Sequence, residues 1–112
     1  MRRTVRQLEI ALHRATTRRE KALAHFHLAI FHDNNGREEI AISHYMIALH
    51  LGLDGKRKSE AYAWLASSLY KTGQPKQARK HLMQSLRLAR DAELKNFLVG
   101  LERKFNLHNR MT

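Results

Sequence analysis

Apolar residues recur along the chain at intervals of three to five. Leu23, Phe26 and Ile30, flanked by Leu28 and Phe31, keep this spacing in one segment, and Tyr62, Leu65, Ala66 and Leu69 keep it in another. That interval puts a stripe on one side of a helix with 3.6 residues per turn, not on one face of a strand. Six such segments are expected, at roughly 3–15, 17–34, 37–51, 57–72, 75–90 and 92–106. Gly36 and Gly73 fall where the second and fourth segments stop, suited to the left-handed cap that only glycine adopts without steric cost. Pro75 opens the fifth, where a first-turn proline loses no helical hydrogen bond. Connections of ~3 residues at these glycines force the flanking helices antiparallel. The longest connection, Gly52 to Arg57, is expected to be the most mobile, and the tail from Asn106 to Thr112 is expected to fray.

The stripes also repeat. Ile10-Ala11-Leu12-His13 recurs verbatim as Ile47-Ala48-Leu49-His50, a shift of 37, and a weaker echo, Gln84-Ser85-Leu86-Arg87, stands a further 37 residues on. At that shift Leu8 aligns with the large residues Tyr45 and Leu82, and Ala11 with the small residues Ala48 and Ser85. Leu28-Ala29 aligns with Leu65-Ala66, Gly36 with Gly73, and Ala41 with Ala78. Small, large and turn residues held in register over so many positions mark a duplicated unit. Each full copy reads as a helix–turn–helix hairpin, with Ala29, Ala41, Ala66 and Ala78 letting the backbones approach. The first helix carries the second-helix signature without a partner before it, so it reads as an N-terminal half-repeat. The expected organisation is one domain: a cap over 1–16, repeats over 17–53 and 54–90, a capping helix over 91–106 and a tail over 107–112.

The stretch from Ala61 through Gly73 and Ala78 to Leu82 and Ser85 resembles a tetratricopeptide repeat at nearly every signature position. Tyr62, Leu65, Ala66 and Leu69 occupy the packing positions of the first helix, and Ala78, Leu82 and Ser85 those of the second. The first hairpin matches with Leu28, Ala29, Gly36, Ala41, Tyr45 and Ala48. It departs at His25 and His32, where the family prefers a bulky apolar residue. The period is 37, against the family's 34 or so, the excess lying in Gly52–Lys58. The run from Ala48 to Gly55 looks like small stand-alone bacterial members of the family. The resemblance spans roughly residues 4–106. It implies an all-α fold, an alpha-alpha superhelix of antiparallel hairpins, and protein–protein interaction or scaffolding with a peptide or helix held in a concave groove.

By the family's pattern the first helices of successive units line that groove. The resemblance therefore assigns Leu23, Phe26, Ile30, Asp33 and Asn34 from the first unit. From the second and the last helix it assigns Ala63, Ser67, Tyr70, Lys71, Leu94, Phe97 and Leu101. Burying one large apolar side chain is worth about 1.5–3 kcal/mol, so Phe26, Ile30, Phe97 and Leu101 call for cover. Terminal helices could supply it, the last one through a stripe of Leu94, Leu98, Leu101 and Phe105. A partner's amphipathic helix or apolar peptide could also supply it, as could a second copy in a homodimer. The clamp by which some members grip a C-terminal carboxylate does not carry over, because its Lys and Asn positions hold Phe26 and Ile30.

Composition adds charge to this picture. Lys and Arg number 21 against 10 Asp and Glu, a net charge of +11 on 112 residues. Residues 1–19 hold Arg2, Arg3, Arg6, Arg14, Arg18 and Arg19 against Glu9 alone. No acid lies between Glu60 and Asp91, where Lys76, Lys80 and Arg87 share one face of the fifth helix with Arg79 and Arg90 on its flank. Three readings compete: a solvated outer face, a dock for an acidic protein partner, and sequence-independent contact with nucleic-acid phosphates through residues 1–19 and the fifth helix. The last lacks interleaved aromatics for base stacking.

There are no cysteines, which excludes thiolate metal sites, disulfides and cysteine nucleophiles. The eight histidines do not form a ligand set; His25 and His32 read as packing-position residues whose neutral form acid would disturb. No phosphate-binding glycine loop, nucleophile elbow or metalloprotease spacing is found. No apolar run approaches the ~18 residues of a membrane span, and no leader follows the basic start. The expectation is a cytoplasmic, non-catalytic binding protein without cofactor, metal or membrane contact.

Overall fold

The computed structural model describes residues 3–111, with side chains through Asn106. Six helices follow one another: α1 (Val5–Arg14), α2 (Arg18–Asn34), α3 (Glu38–Leu51), α4 (Gly55–Lys71), α5 (Pro75–Leu88) and α6 (Ala92–Met111). They gather into two compact units, one ending at Leu53 and one beginning at Asp54. Each side is a hairpin with one further helix.

In the first unit two helices start on their own side chains. Thr4 accepts from the Gln7 amide at 3.2 Å while the Gln7 side chain accepts from the Thr4 amide at 2.9 Å. Thr17 and Glu20 make the same reciprocal pair before α2, at 3.1 and 3.0 Å. Two of the four amides that a helix start leaves unpaired are thereby satisfied. At the far end of the hairpin the Arg18 guanidinium donates to the Leu51 and His50 carbonyls, at 2.8 and 3.0 Å. Those carbonyls end α3 and have no partner within it.

The two hairpin turns are copies of each other. Arg37 N–H donates to His32 O at 2.9 Å and Gly36 N–H to Asp33 O at 3.1 Å; 37 residues on, Gln74 N–H donates to Leu69 O at 2.9 Å and Gly73 N–H to Tyr70 O at 3.2 Å. This crossed pair of bonds needs a left-handed residue just past the helix. Gly36 at φ 74° and Gly73 at φ 79° supply it.

Equivalent positions build equivalent cores. Ala22 and Ala29 of α2 and Ala41 and Ala48 of α3 are fully buried, with Tyr45 1% exposed among them. At the same shift stand Ser59 and Ala66 of α4, Ala78 and Ser85 of α5, and Leu82, all buried. Where the first unit has Ala22 and Ala48, the second has two serines, and the Ser85 hydroxyl donates to the Ser59 carbonyl at 2.7 Å. Leu8 of α1 adds to the first core, and Leu94, Leu98, Leu101 and Phe105 of α6 are buried in the second.

Three boundaries differ from the sequence reading. Helix α4 begins at Gly55, not Arg57, so the expected mobile connection shrinks to Gly52–Asp54; Gly52 at φ 109° makes the sharp exit from α3 by itself. Helix α5 ends at Leu88 because the buried Ala89 is extended, at φ −67° and ψ 128°. Helix α6 continues to Met111 through the expected tail. No glycine or proline follows Gly100, so nothing in the residues breaks it.

Candidate interaction surfaces

Helix α5 buries Ala78, Leu82 and Ser85 and turns Lys76, Lys80 and Arg87 to solvent. Arg90, two residues beyond the helix, is exposed as well. The helix contains no carboxylate, so its outer face carries only positive charge. Arg79 differs from its neighbours. It is half-buried, its guanidinium lies 5.9 Å from the centre of the Phe105 ring, and it donates to the Asn106 side chain at 3.4 Å. The charge of Arg79 is therefore engaged with α6. Arg3 and Arg6 near the other end of the chain are exposed. Arg2 lies outside the described residues.

Past the end of α5, Arg87, Leu88, Arg90 and Asp91 line a cavity of about 530 Å³ with Gly55, Lys56, Lys58 and Ser59 from the start of α4. Lys56 meets Asp91 at 3.1 Å. The Asp91 carboxylate also accepts the Glu93 amide at 2.8 Å, and that bond is the first reason its ionisation is held below the usual carboxylate range. Lys56 and Lys58 were not singled out in the sequence. They sit in the connection read as a loop, and only the folding of Gly55–Lys58 into α4 brings them beside Arg87.

The residues assigned to a groove by family pattern fall into separate environments. Phe26 is 4% exposed and meets Tyr45 edge-on, with ring centres 6.5 Å apart. It belongs to the first unit's core and is not open to a partner. Ala63 and Leu101 are likewise interior, at 0% and 6% exposed. The Tyr70 ring stacks on Phe105 at 4.6 Å and its hydroxyl donates to the Lys104 carbonyl at 3.4 Å, so α6 takes up this side chain. Leu23, Ile30 and Ser67 are partly exposed, and Phe97 is 42% exposed. Ile30 lines a cavity of about 430 Å³ with Leu8, His27, Phe31, Asn34 and Arg3. Other large apolar side chains that face solvent are Ile10 on α1, Ile40, Met46 and Ile47 on α3, Met83 and Leu88 on α5, and Val99 on α6.

The histidines singled out in the sequence are brought together with a third. His25 Nδ1 lies 3.0 Å from His44 Nδ1, and the His32 ring stacks on His44 with centres 5.8 Å apart and planes 6° from parallel. His44 was missed, although the 37-residue shift holds the signal: it carries His25 and His44 onto Tyr62 and His81, which also stack, at 5.7 Å. Among the described residues no group of three or more His, Asp or Glu side chains is placed to hold a metal ion. No described helix is long and apolar enough to cross a membrane.

Comparison with family models matches one described as tetratrico peptide repeat over residues 22–105. That span runs from the core of α2 to the buried Phe105 of α6. Comparisons with curated proteins and with solved structures return no match.

Proposed function

Since the chain belongs to the tetratricopeptide repeat family, whose members are in general protein-interaction modules, we propose that it is a non-catalytic adaptor that docks an acidic protein segment on the outer face of α5. The observation that carries this reading is that Lys76, Lys80 and Arg87 are exposed on a helix without a carboxylate. A partner bearing spaced Asp or Glu residues complements that row and is steered to it, with an affinity that falls as salt screens the charges. The apolar alternative of the same family role uses Leu23 and Ile30 of the first unit, or Ser67 and Phe97 of the second, each unit taken by itself.

A second reading, sequence-independent contact with nucleic-acid phosphates, draws on the same row together with Arg3 and Arg6. It is favoured by the bare positive face, but α5 itself contains no Phe, Tyr or Trp on which bases could stack. Titration of a fluorescent Glu-rich helical peptide, a Gln-for-Glu version and a single-stranded oligonucleotide separates these readings. Lys76→Glu with Lys80→Glu should weaken the acidic peptide about tenfold or more, and Phe97→Ser should leave it unchanged. Tighter binding of the oligonucleotide, with a steep salt slope, would replace the first reading with the second. Loss caused by Phe97→Ser alone would move the site to the apolar residues.

A further inference from the structure

His25 and His44 face each other across the α2–α3 hairpin, Nδ1 to Nδ1, at 3.0 Å. Two imidazoles share such a contact only when one Nδ1 carries a proton and the other offers its lone pair. The neutral pair therefore has one ring in each tautomer. An added proton can settle on the Nε2 of the donor ring, and the contact becomes a charge-assisted hydrogen bond. The next proton must go to the Nδ1 of the acceptor ring. Two N–H groups would then oppose each other at hydrogen-bond distance, each on a positive ring.

The surroundings sharpen this limit. The His32 ring lies flat against His44, and its Nδ1 accepts the Arg37 Nε–H at 2.9 Å. Protonating that Nδ1 expels the guanidinium. Glu9, from α1, acts in the opposite sense, since its charge favours the protonated form of both His32 and His44. One carboxylate assists a first proton but cannot balance several positive rings. Burial is the leading cause that holds His25, His32 and His44 below the usual imidazole range; Arg37 adds to it at His32, and the other two rings add to it at His44.

We propose that these side chains make the first unit an acid-sensitive element: the His25–His44 contact absorbs one proton, and the next drives α2 and α3 apart while the second unit keeps its hairpin. The second unit provides the contrast at the same repeat positions. Tyr62 replaces His25 against His81, and Leu69 replaces His32. At these three positions its hairpin thus has one imidazole where the first has three. Beyond that first proton the folded rings resist, while the unfolded rings take protons near the ordinary value of about 6.5, so the stability is full above that pH and is lost as the pH falls below it. The basic face of α5 persists on acidification.

The whole chain, labelled with ¹⁵N, provides the test. Long-range correlations to the ring nitrogens at about pH 8 should show His25 and His44 as opposite tautomers, titrating on acidification in two separated steps. Amide protection, corrected for intrinsic exchange, should fall by up to about tenfold per pH unit per proton in α2 and α3 and hold in α4 and α5. The double substitution His25→Tyr with His32→Leu installs the second unit's own residues and should abolish the acid loss. Like tautomers that titrate together as ordinary imidazoles would overturn the proposal in the unmodified protein, whatever the variant does. So would equal loss of protection in both hairpins.

Discussion

The Tyr45 hydroxyl donates to the Asp33 carboxylate at 2.9 Å, joining the middle of α3 to the last turn of α2. Burial is the first cause that pushes the ionisation of this phenol far above its ordinary range, followed by the Asp33 charge and the bond itself. Tyr45 is thus a neutral donor at any working pH. Tyr45→Phe keeps the ring against Phe26 and removes only the donor. It should cost roughly 1.5 kcal/mol, the net worth of a hydrogen bond to a charged group that solvent partly reaches. Denaturant titration followed at α2 and α3 checks this, and an unmoved midpoint would mean that the bond contributes nothing.

Gly36 and Gly73 hold positive φ with nothing within 4 Å of where a Cβ would stand. Alanine at either position therefore meets no clash, only the left-handed backbone penalty of about 1–2 kcal/mol. Because the turns are copies, Gly36→Ala and Gly73→Ala should cost the same within error when each is read on its own hairpin. A large difference would show that one turn carries tertiary contacts the other lacks.

The helices and turns were legible because glycine, small residues and apolar stripes keep their places over 37 residues. The start of α4 was not legible, since Gly55 reads as an interruption and yet is the first helical residue. Nor was the length of α6, since the mostly polar run from Asn106 reads as a fraying tail although no glycine or proline follows Gly100 to end the helix. The basic face of α5 could be read from the lack of acids alone. That Arg79 leaves this face could not, because its partner Phe105 is 26 positions away in the chain. Phe26 was misplaced for a related reason: family pattern puts it on the open side of the helix, but in this chain Tyr45 offers an aromatic edge to bury it.

Asp91 serves two partners, and they should weigh differently. Its bond to the Glu93 amide starts α6, whereas its ion pair with Lys56 lies in solvent, with Lys56 66% exposed. Asp91→Ala should lower the melting midpoint the most, as a lost helix cap. Asp91→Asn keeps an accepting oxygen, and Lys56→Met removes only the solvent-exposed pair, so each should lower the midpoint less. Thermal melts of the three variants provide the ranking. If Lys56→Met matches Asp91→Ala, the ion pair is the dominant partner.

Phe105 is 2% exposed, stacks on Tyr70 and lies under the Arg79 cation. Phe105→Ala should cost about 3 kcal/mol, at the low end for a buried aromatic because a terminal helix can shift to relax the gap. Amide exchange should then show the second half of α6 released while α4 and α5 stay protected. Unchanged protection beyond Gly100 would mean that Leu98 and Leu101 suffice to hold the helix.

The grip of Arg18 on the last carbonyls of α3 has no counterpart at the equivalent position of the second unit. Thirty-seven residues on, the position is Gly55, which has no side chain to offer. The earlier hairpin is fastened at both extremities, by its glycine bend and by this guanidinium. At that end the later hairpin is joined by other means, the buried Ser85 hydroxyl on the Ser59 carbonyl and Lys56 on Asp91, so on warming the two copies should unzip through different bonds.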